Sequence, residues 1–432
     1  MLNEHAQAGF EGFSKLSRTE RFERLVAMGA LSQDDVAYLR DGGVRKLDLG
    51  DKLIENVIGY FQLPLGVATN FCIDGEDYVI PMAVEETSIV AALSKTAKWI
   101  RKQGKITTEI LGDCILGQIH IPLVENFKRF EACFELHRAA FIEKANQEVA
   151  ATMVQRGGGV IDMVLRRLVR PDGRDMGVIH LSMNSCDAMG ANIINQVLEY
   201  LKEPIETLTG ETVGLCILSN LNDQKLARAR VTINNVDEAL GERIQEASLF
   251  GEIDPYRAAT HNKGVMNGID PILIATGNDW RAVEAGVHAY AARSGTYQAI
   301  SHWRYQDGVL TGELIAPLVA GTVGGVTALH PTAQLCLKML GVTSASHLSR
   351  ILAAVGLVQN LGALNALCTE GIIQGHMKLH IDNLLLVAGA NDQELPVLKK
   401  RLQHWLTLHR RVSLKHATTL LAELRHAAPV SS

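Results

Sequence analysis

The chain has 432 residues, more than one hydrophobic core ordinarily supports, so two or three domains are expected. Its 47% hydrophobic and 21% charged residues suit a globular protein, and a formal net charge of -5 leaves no general basic field for wrapping nucleic acid. Seven scattered cysteines (Cys72, Cys114, Cys133, Cys186, Cys216, Cys336, Cys368), never spaced Cys-x-x-Cys, point to reduced thiols in a cytoplasmic protein.

In chain order, Met1-Leu2-Asn3-Glu4-His5 lacks the basic start and apolar stretch of a signal peptide, and no apolar run is read as nearing the ~20 residues that span a bilayer. A soluble chain without membrane or nucleic-acid partners is expected. From Glu85 to Lys102, Ile89, Val90, Leu93, Ala97 and Ile100 recur at helical spacing, which puts Glu86 near a helix start, where a carboxylate is electrostatically favoured. Glu85 beside it leaves the choice between the two glutamates open on spacing alone. The triple glycine Gly157-Gly158-Gly159 reads as a flexible connection. It leads into strand, turn and strand at Val160 to Val169, Pro171 to Asp175 and Met176 to Met183, with Asp162 a solvent-facing strand residue.

Asp187 is expected to cap a helix running through Val197 to about Tyr200. The start of that helix, Asp187-Ala188-Met189-Gly190-Ala191-Asn192, would present backbone N–H groups and small residues to a pyrophosphate, though an ordinary capped helix looks the same. Neither the Gly-x-Gly-x-x-Gly fingerprint nor the Walker pattern is present. A strand-rich insert over 113–218 therefore separates helical segments.

Further on, Asp254 to Asp270 packs Arg257, His261, Lys263 and Asn267 among glycines and small residues, poor for a surface and suited to a site. If the segment is helical, Lys263 and Asn267 lie four apart on one face and converge on one oxygen atom. A lone lysine is ordinarily a solvated cation; the polar density around this one argues for a pocket. Asp279 precedes the helix-like run Trp280 to Gly286 and reads as its cap. Ser346 to Leu367 reads as a buried helix, after which Gly371 and Gly375 break the pattern just before His376. His376 and His380 have metal-ligand spacing, but Met377 stands where a zinc protease needs its glutamate, so no metal is expected. A histidine on a movable segment suits a proton donor needed at one stage. Leu395 to Leu424 carries two amphipathic helical runs.

Glu55-Asn56-Val57-Ile58-Gly59, Val84-Glu85-Glu86, Asp187 to Asn192, Asp254 to Asp270, Thr276-Gly277-Asn278-Asp279-Trp280, Gly321-Thr322-Val323-Gly324-Gly325 and Gly375-His376-Met377 together resemble the class II (bacterial, soluble) hydroxymethylglutaryl-coenzyme A reductases, over most of the chain and in the family's order. Thr87 departs from the proline common after the glutamate pair. The resemblance implies an α+β fold. A large helix-rich substrate domain (1–112 and 219–371) would carry an inserted smaller α/β cofactor domain (113–218) and a C-terminal helical flap (372–432) that closes over the site. It also implies a homodimer, or a symmetric oligomer of dimers, with sites formed between subunits.

The implied reaction belongs to isoprenoid metabolism: a four-electron interconversion of hydroxymethylglutaryl-CoA with mevalonate and coenzyme A, using two nicotinamide cofactors in succession. Lys263 would stabilise the thioester oxyanion with Asn267 alongside, and His376 would protonate the departing thiolate. Glu86 would donate to the aldehyde oxygen, and Asp279 would lie between Lys263 and Glu86. Glu55, Ser88, Asn220, Arg257 and Asn267 match substrate contacts, and Asp187, Met189, Gly190 and Asn192 match cofactor contacts. Asp162 stands where an acidic residue accompanies NAD, because a carboxylate accepts from the ribose 2′-hydroxyl and repels a 2′-phosphate. Arg166 and Arg167 argue the other way, so the reading is NAD with NADP left open. Two alternatives remain beside this one: a non-redox acyl-coenzyme A enzyme using Lys263 electrostatically, and a non-catalytic ligand-binding relative. The physiological direction is left open.

Overall fold

The structure, a computed structural model, describes residues 10–369, 381–409 and 411–427. Gly371, Gly375, His376 and His380 lie outside them.

Among the described residues ten strands form two sheets: β1 (Leu65–Ile73), β2 (Glu76–Ala83), β3 (Gly104–Ile110), β4 (Cys114–Val124), β5 (Gly159–Val169), β6 (Asp175–Asn184), β7 (Leu215–Ser219), β8 (Ala227–Ile233), β9 (Ser301–Gln306) and β10 (Val309–Ala316). The first sheet runs β2-β1-β3-β8-β10-β9 and the second β5-β6-β4-β7. All pairs are antiparallel except β1 with β3. The longer helices are α1 (Arg18–Ala27), α2 (Gln33–Arg40), α3 (Ile89–Gln103), α4 (Phe127–Glu148), α5 (Ala191–Thr209), α6 (Glu238–Ile253), α7 (Pro255–Ala275), α8 (Trp280–Ala291), α9 (Pro331–Leu340), α10 (Ala345–Cys368), α11 (Leu395–His409) and α12 (Leu414–Ala427).

Each sheet has its own core. Phe71, Ile80, Leu93, Ile269, Trp303 and Leu352 join the first sheet to α3, α7 and α10. Ile119, Phe130, Phe134, Met163, Leu181 and Leu198 join the second to α4 and α5. Past residue 381, Ile381, Leu385, Leu398, Leu402 and Leu421 make a separate cluster. The second sheet hangs from a stem. The β3–β8 ladder, which ends at Ile110 opposite Ala227, continues as Leu111 N–H to Leu226 O (2.8 Å) and Cys114 N–H to Gln224 O (3.3 Å).

Several expectations need correction. The helix after Glu86 begins only at Ile89, because Ser88 takes a left-handed conformation (φ 75°); Glu86 sits in the turn ahead of it. Asp187 does not cap α5. That helix starts behind Gly190 (φ 100°) with no side-chain cap, and runs past Tyr200 and through Pro204 to Thr209. The Asp187 carboxylate instead accepts the N–H of Ala345, the first residue of α10, at 2.9 Å. Two of the three glycines are packed rather than loose: a Cβ on Gly158 would lie 2.5 Å from Asn184 O and one on Gly159 2.7 Å from Asn146 Oδ1, while Gly157 faces open space. Finally, α10 is long and apolar enough to cross a membrane by length and composition. It lies mostly buried in the core, with Leu348, Leu352, Val355, Val358 and Leu361 fully enclosed.

Candidate active site

Helix α7 builds the centre. Asp254 caps it through the N–H of Tyr256 (3.1 Å), and Pro255 takes the first position, where its missing N–H costs nothing. Ala258, His261, Asn262, Val265, Met266, Ile269 and Ile272 face the core, which leaves Lys263 and Asn267 on the opposite stripe, as the spacing predicts. Lys263 Nζ donates to Glu86 Oε2 at 3.1 Å, with side chains 61% and 39% exposed. An ion pair so open contributes about 0–1 kcal/mol to stability.

Arg257, two turns earlier, is half-buried and has no hydrogen bond or ion pair among the described residues. Burial lowers its pKa, and its guanidinium has the fork geometry that pairs with a carboxylate through two parallel hydrogen bonds. His261, one turn on, is kept neutral. Its Nε2 meets Ser301 Oγ at 2.7 Å, while burial, and next the charge of Arg257, push its pKa down to about 4. Ser301 Oγ and Trp303 Nε1 both donate to Asn360 Oδ1, which ties α7 to α10.

Asp279 caps α8 as expected, accepting the N–H of Ala282 at 3.2 Å. Its other partner is Arg281 at 3.3 Å. Among the described residues it has no hydrogen bond to Lys263 or Glu86, because the cap and the arginine turn its carboxylate toward its own helix. A different acidic pair links α7 and α8. Asp270 is pushed up to about 8, first by burial and then by the neighbouring Glu284, and its Oδ1 is buried without a hydrogen-bond partner among the described residues. The sequence reading missed this pair.

Three of the glycine- and asparagine-rich segments meet. Asp187 O accepts the N–H of Thr322 (2.9 Å), and Asn278 Oδ1 accepts the N–H of Gly321 (2.7 Å). A Cβ on Gly321 would lie 2.6 Å from Met189 N. Met189 is partly buried, Gly190 buried and Asn192 exposed at the start of α5, which no side chain caps. Asn220 is exposed, and its backbone oxygen accepts the N–H of Asn222 at 3.1 Å. Glu55 is exposed in an irregular segment, Ser88 occupies the cap position of α3, and Asn267 is partly buried.

On β5, Asp162 lies 3.5 Å from Arg138 and accepts the N–H of Met163. Both neighbouring arginines are engaged: Arg167 grips Asp175 through two 2.8 Å hydrogen bonds, and Arg166 meets His180 Nε2 at 2.9 Å. Among the described residues no cluster of His, Cys, Asp and Glu could hold a metal.

Residues 19–381 match the family described as hydroxymethylglutaryl-coenzyme A reductase. A 3-hydroxy-3-methylglutaryl-coenzyme A reductase of Archaeoglobus fulgidus is 43% identical over 420 residues, 96% of this chain and 94% of that one. A probable reductase of the same name from Borreliella burgdorferi is 36% identical over 77% of each chain. Among solved structures, the reductase of Streptococcus pneumoniae superposes with a TM-score of 0.81 at 38% identity, covering 96% of this chain and all of that one. A second structure from that organism, described as the class II enzyme bound to NADPH in open conformations, gives 0.80 at 38% identity over 83% of this chain. With the motifs, the mixed helix-and-sheet fold and these relatives in agreement, the chain belongs to the hydroxymethylglutaryl-coenzyme A reductase family.

Proposed function

We propose that Lys263, Glu86, Asp279 and His376 carry the proton and charge handling of the family's reaction in this chain, with Arg257, Asn267, Ser88, Asn220 and Glu55 holding the acyl-coenzyme A. The reaction itself follows from family membership: the chain is an oxidoreductase interconverting hydroxymethylglutaryl-CoA with mevalonate and coenzyme A. A nicotinamide cofactor supplies the hydride for each of the two reductions. Lys263 stabilises the negative charge that gathers on the thioester oxygen, and Asn267, one turn along the same stripe, adds a neutral donor. Collapse of the resulting hemithioacetal breaks the carbon–sulfur bond, and His376 gives the departing thiolate its proton. Glu86 gives a proton to the aldehyde oxygen in the second reduction. Asp279 joins the network when its carboxylate leaves Arg281.

The observation that carries this reading is the 3.1 Å approach of Lys263 to Glu86 across two elements, with a half-buried Arg257 on the same helix that has no partner among the described residues. The second sheet with α4 and α5 is assigned to the cofactor (113–218), the first sheet and its helices to the substrate (1–112 and 219–371), and 372–432 to a closing flap. The uncapped start of α5, with Met189, Gly190 and Asn192, would hold the pyrophosphate, and Asp187 would support it. NAD is the proposed cofactor. The Asp162 carboxylate accepts one backbone N–H and has a single, 3.5 Å ion pair, whereas Arg167 is committed to Asp175 and so is withdrawn from a 2′-phosphate. A cytoplasmic homodimer is proposed, the apolar side chains of Ile58 (99% exposed) and Phe61 (92%) being suited to burial against a second copy.

The test is nicotinamide absorbance on mixing the protein with NADH and hydroxymethylglutaryl-CoA, and with NAD, mevalonate and coenzyme A. Absorbance should fall in the first mixture and rise in the second. No change in either would leave a non-redox acyl-coenzyme A enzyme or a binding protein. NADH should exceed NADPH in kcat/KM, and Asp162→Ala should narrow the gap; a preference for NADPH in the unaltered protein would overturn the Asp162 assignment.

A further inference from the structure

The second sheet is reached through two crossing chains, and one of them buries a lysine. Lys225 is 6% exposed, and its ammonium has one hydrogen bond among the described residues, to Ser185 Oγ at 3.4 Å. Burial lowers its pKa, an effect opposed by the nearby Asp113, Cys114 and Asp187. A buried ammonium so sparsely bonded is costly to the fold, which directs attention to what it touches.

Its anchor is rigid. Lys225 N–H donates to Asn222 O at 3.0 Å, and Asn222 Oδ1 accepts the N–H of Leu116 at 2.8 Å. The next residue back, Gln224, accepts from Cys114 N–H through its backbone and from Ser182 Oγ through its side chain (2.8 Å). Its target is the turn that opens α5. Ser185 is fully buried, its Oγ donates to Ala188 O at 2.8 Å, and its own carbonyl accepts the Ala188 N–H at 3.2 Å. The next two residues are Met189 and Gly190, and a Cβ on Gly190 would lie 2.7 Å from Ser185 Cβ, so a shift of Ser185 is felt where α5 begins.

We infer that Lys225 is a positioning residue for the nicotinamide cofactor: through Ser185 it holds the 185–190 turn, and hence the start of α5, in the place where the pyrophosphate is received. This rests on the reading of 187–192 as the cofactor loop. Without Lys225 the turn must be ordered by the cofactor itself, and the loss falls on cofactor affinity rather than on the acyl-coenzyme A side.

The experiment measures NADH binding by fluorescence and KM for hydroxymethylglutaryl-CoA in Lys225→Met, Lys225→Arg, Ser185→Ala and Asn192→Ala, with thermal midpoints for each. Lys225→Met and Ser185→Ala should each weaken NADH binding about tenfold, the worth of one charge-assisted hydrogen bond, and leave the acyl-coenzyme A KM within about twofold. The double variant should be little worse than either single one, because both cut the same chain of contacts. Lys225→Arg should recover most of the binding. If Lys225→Met does not fold, Ser185→Ala decides alone. Unchanged NADH binding in a folded Lys225→Met or Ser185→Ala protein overturns the inference, as does an equal loss for both ligands. Unchanged NADH binding in Asn192→Ala would show that the loop is not the cofactor's, and the inference would fall with that reading. Weakened binding in Asn192→Ala beside unchanged binding in Lys225→Met would overturn the inference alone.

Discussion

Lys263 stands mostly in solvent with one side-chain partner among the described residues, Glu86, so its removal should separate chemistry from stability. Lys263→Ala is expected to lower kcat by ~10²- to 10³-fold, the usual cost of losing one oxyanion-stabilising group, with an almost unchanged thermal midpoint. Glu86→Gln should do the same to aldehyde reduction while Glu85→Gln does not; the reverse pattern would assign the acid to Glu85. Asp270 behaves differently, since burial and Glu284 raise its pKa to about 8. The native state therefore holds a proton that the unfolded chain releases above about pH 4. The stability tied to that proton is complete below about pH 4 and is lost progressively as pH rises to about 8. Asp270→Asn, which keeps a donor and cannot ionise, should flatten the midpoint between pH 5 and 8; a slope as steep as the original would dismiss the pair. The Lys263 and Asn267 stripe was legible because helical spacing is local, whereas Asp270 meets Glu284 across two helices and leaves no local pattern.

For whole elements, periodicity located α3, α10 and the β5–β6 hairpin within a few residues and placed two helical runs where α11 and α12 lie, while α7 was only a conditional reading. It failed where a tertiary partner outbid a local one. Asp187 has the position of a cap for α5, yet its carboxylate serves the first N–H of α10, and only the fold brings those helices together. Asp187→Ala should therefore lower stability by about 0.5–2 kcal/mol, the range for lost helix caps, and melt α10's first turn earlier in hydrogen exchange. Protection unchanged at Ala345 would show that the contact is not stabilising. Gly321→Ala would press a methyl group against Met189 N and should cost about 1–3 kcal/mol together with some cofactor affinity. The reading of 346–367 as a buried helix holds for α10, but the expectation that no apolar run nears membrane-spanning length does not, since α10 is long and apolar enough by length and composition.

At the scale of the molecule, the family motifs made the architecture and the reaction readable, and the relatives agree. What they could not supply is how the two sheets are fastened, since Lys225, Ser185 and Asn222 resemble ordinary loop residues in sequence. His376 lies outside the described residues, so its role is tested through the reaction. His376→Gln should lose ~10²- to 10⁴-fold in full thioester reduction and keep substantial reduction of free mevaldehyde, which releases no thiol. Deleting the chain beyond Gly371 should give the same pattern. Equal impairment on both substrates would point to a structural role instead.

The stem from which the second sheet hangs also bears on how the chain finds its fold. Strands β3 and β8 are neighbours in the first sheet but are separated in sequence by the whole of the second. Zipping them directly means closing a loop of roughly a hundred residues, at an entropic cost that grows as (3/2)RT ln n. If the second sheet collapses first, its own pairing delivers Cys114 to Gln224 and leaves the ends of β3 and β8 already side by side. Order of assembly is thus written into the insertion point: mutations in the β4–β6 pairing should slow formation of the first sheet in refolding, while mutations in β9 or β10 should leave the rate of the second untouched.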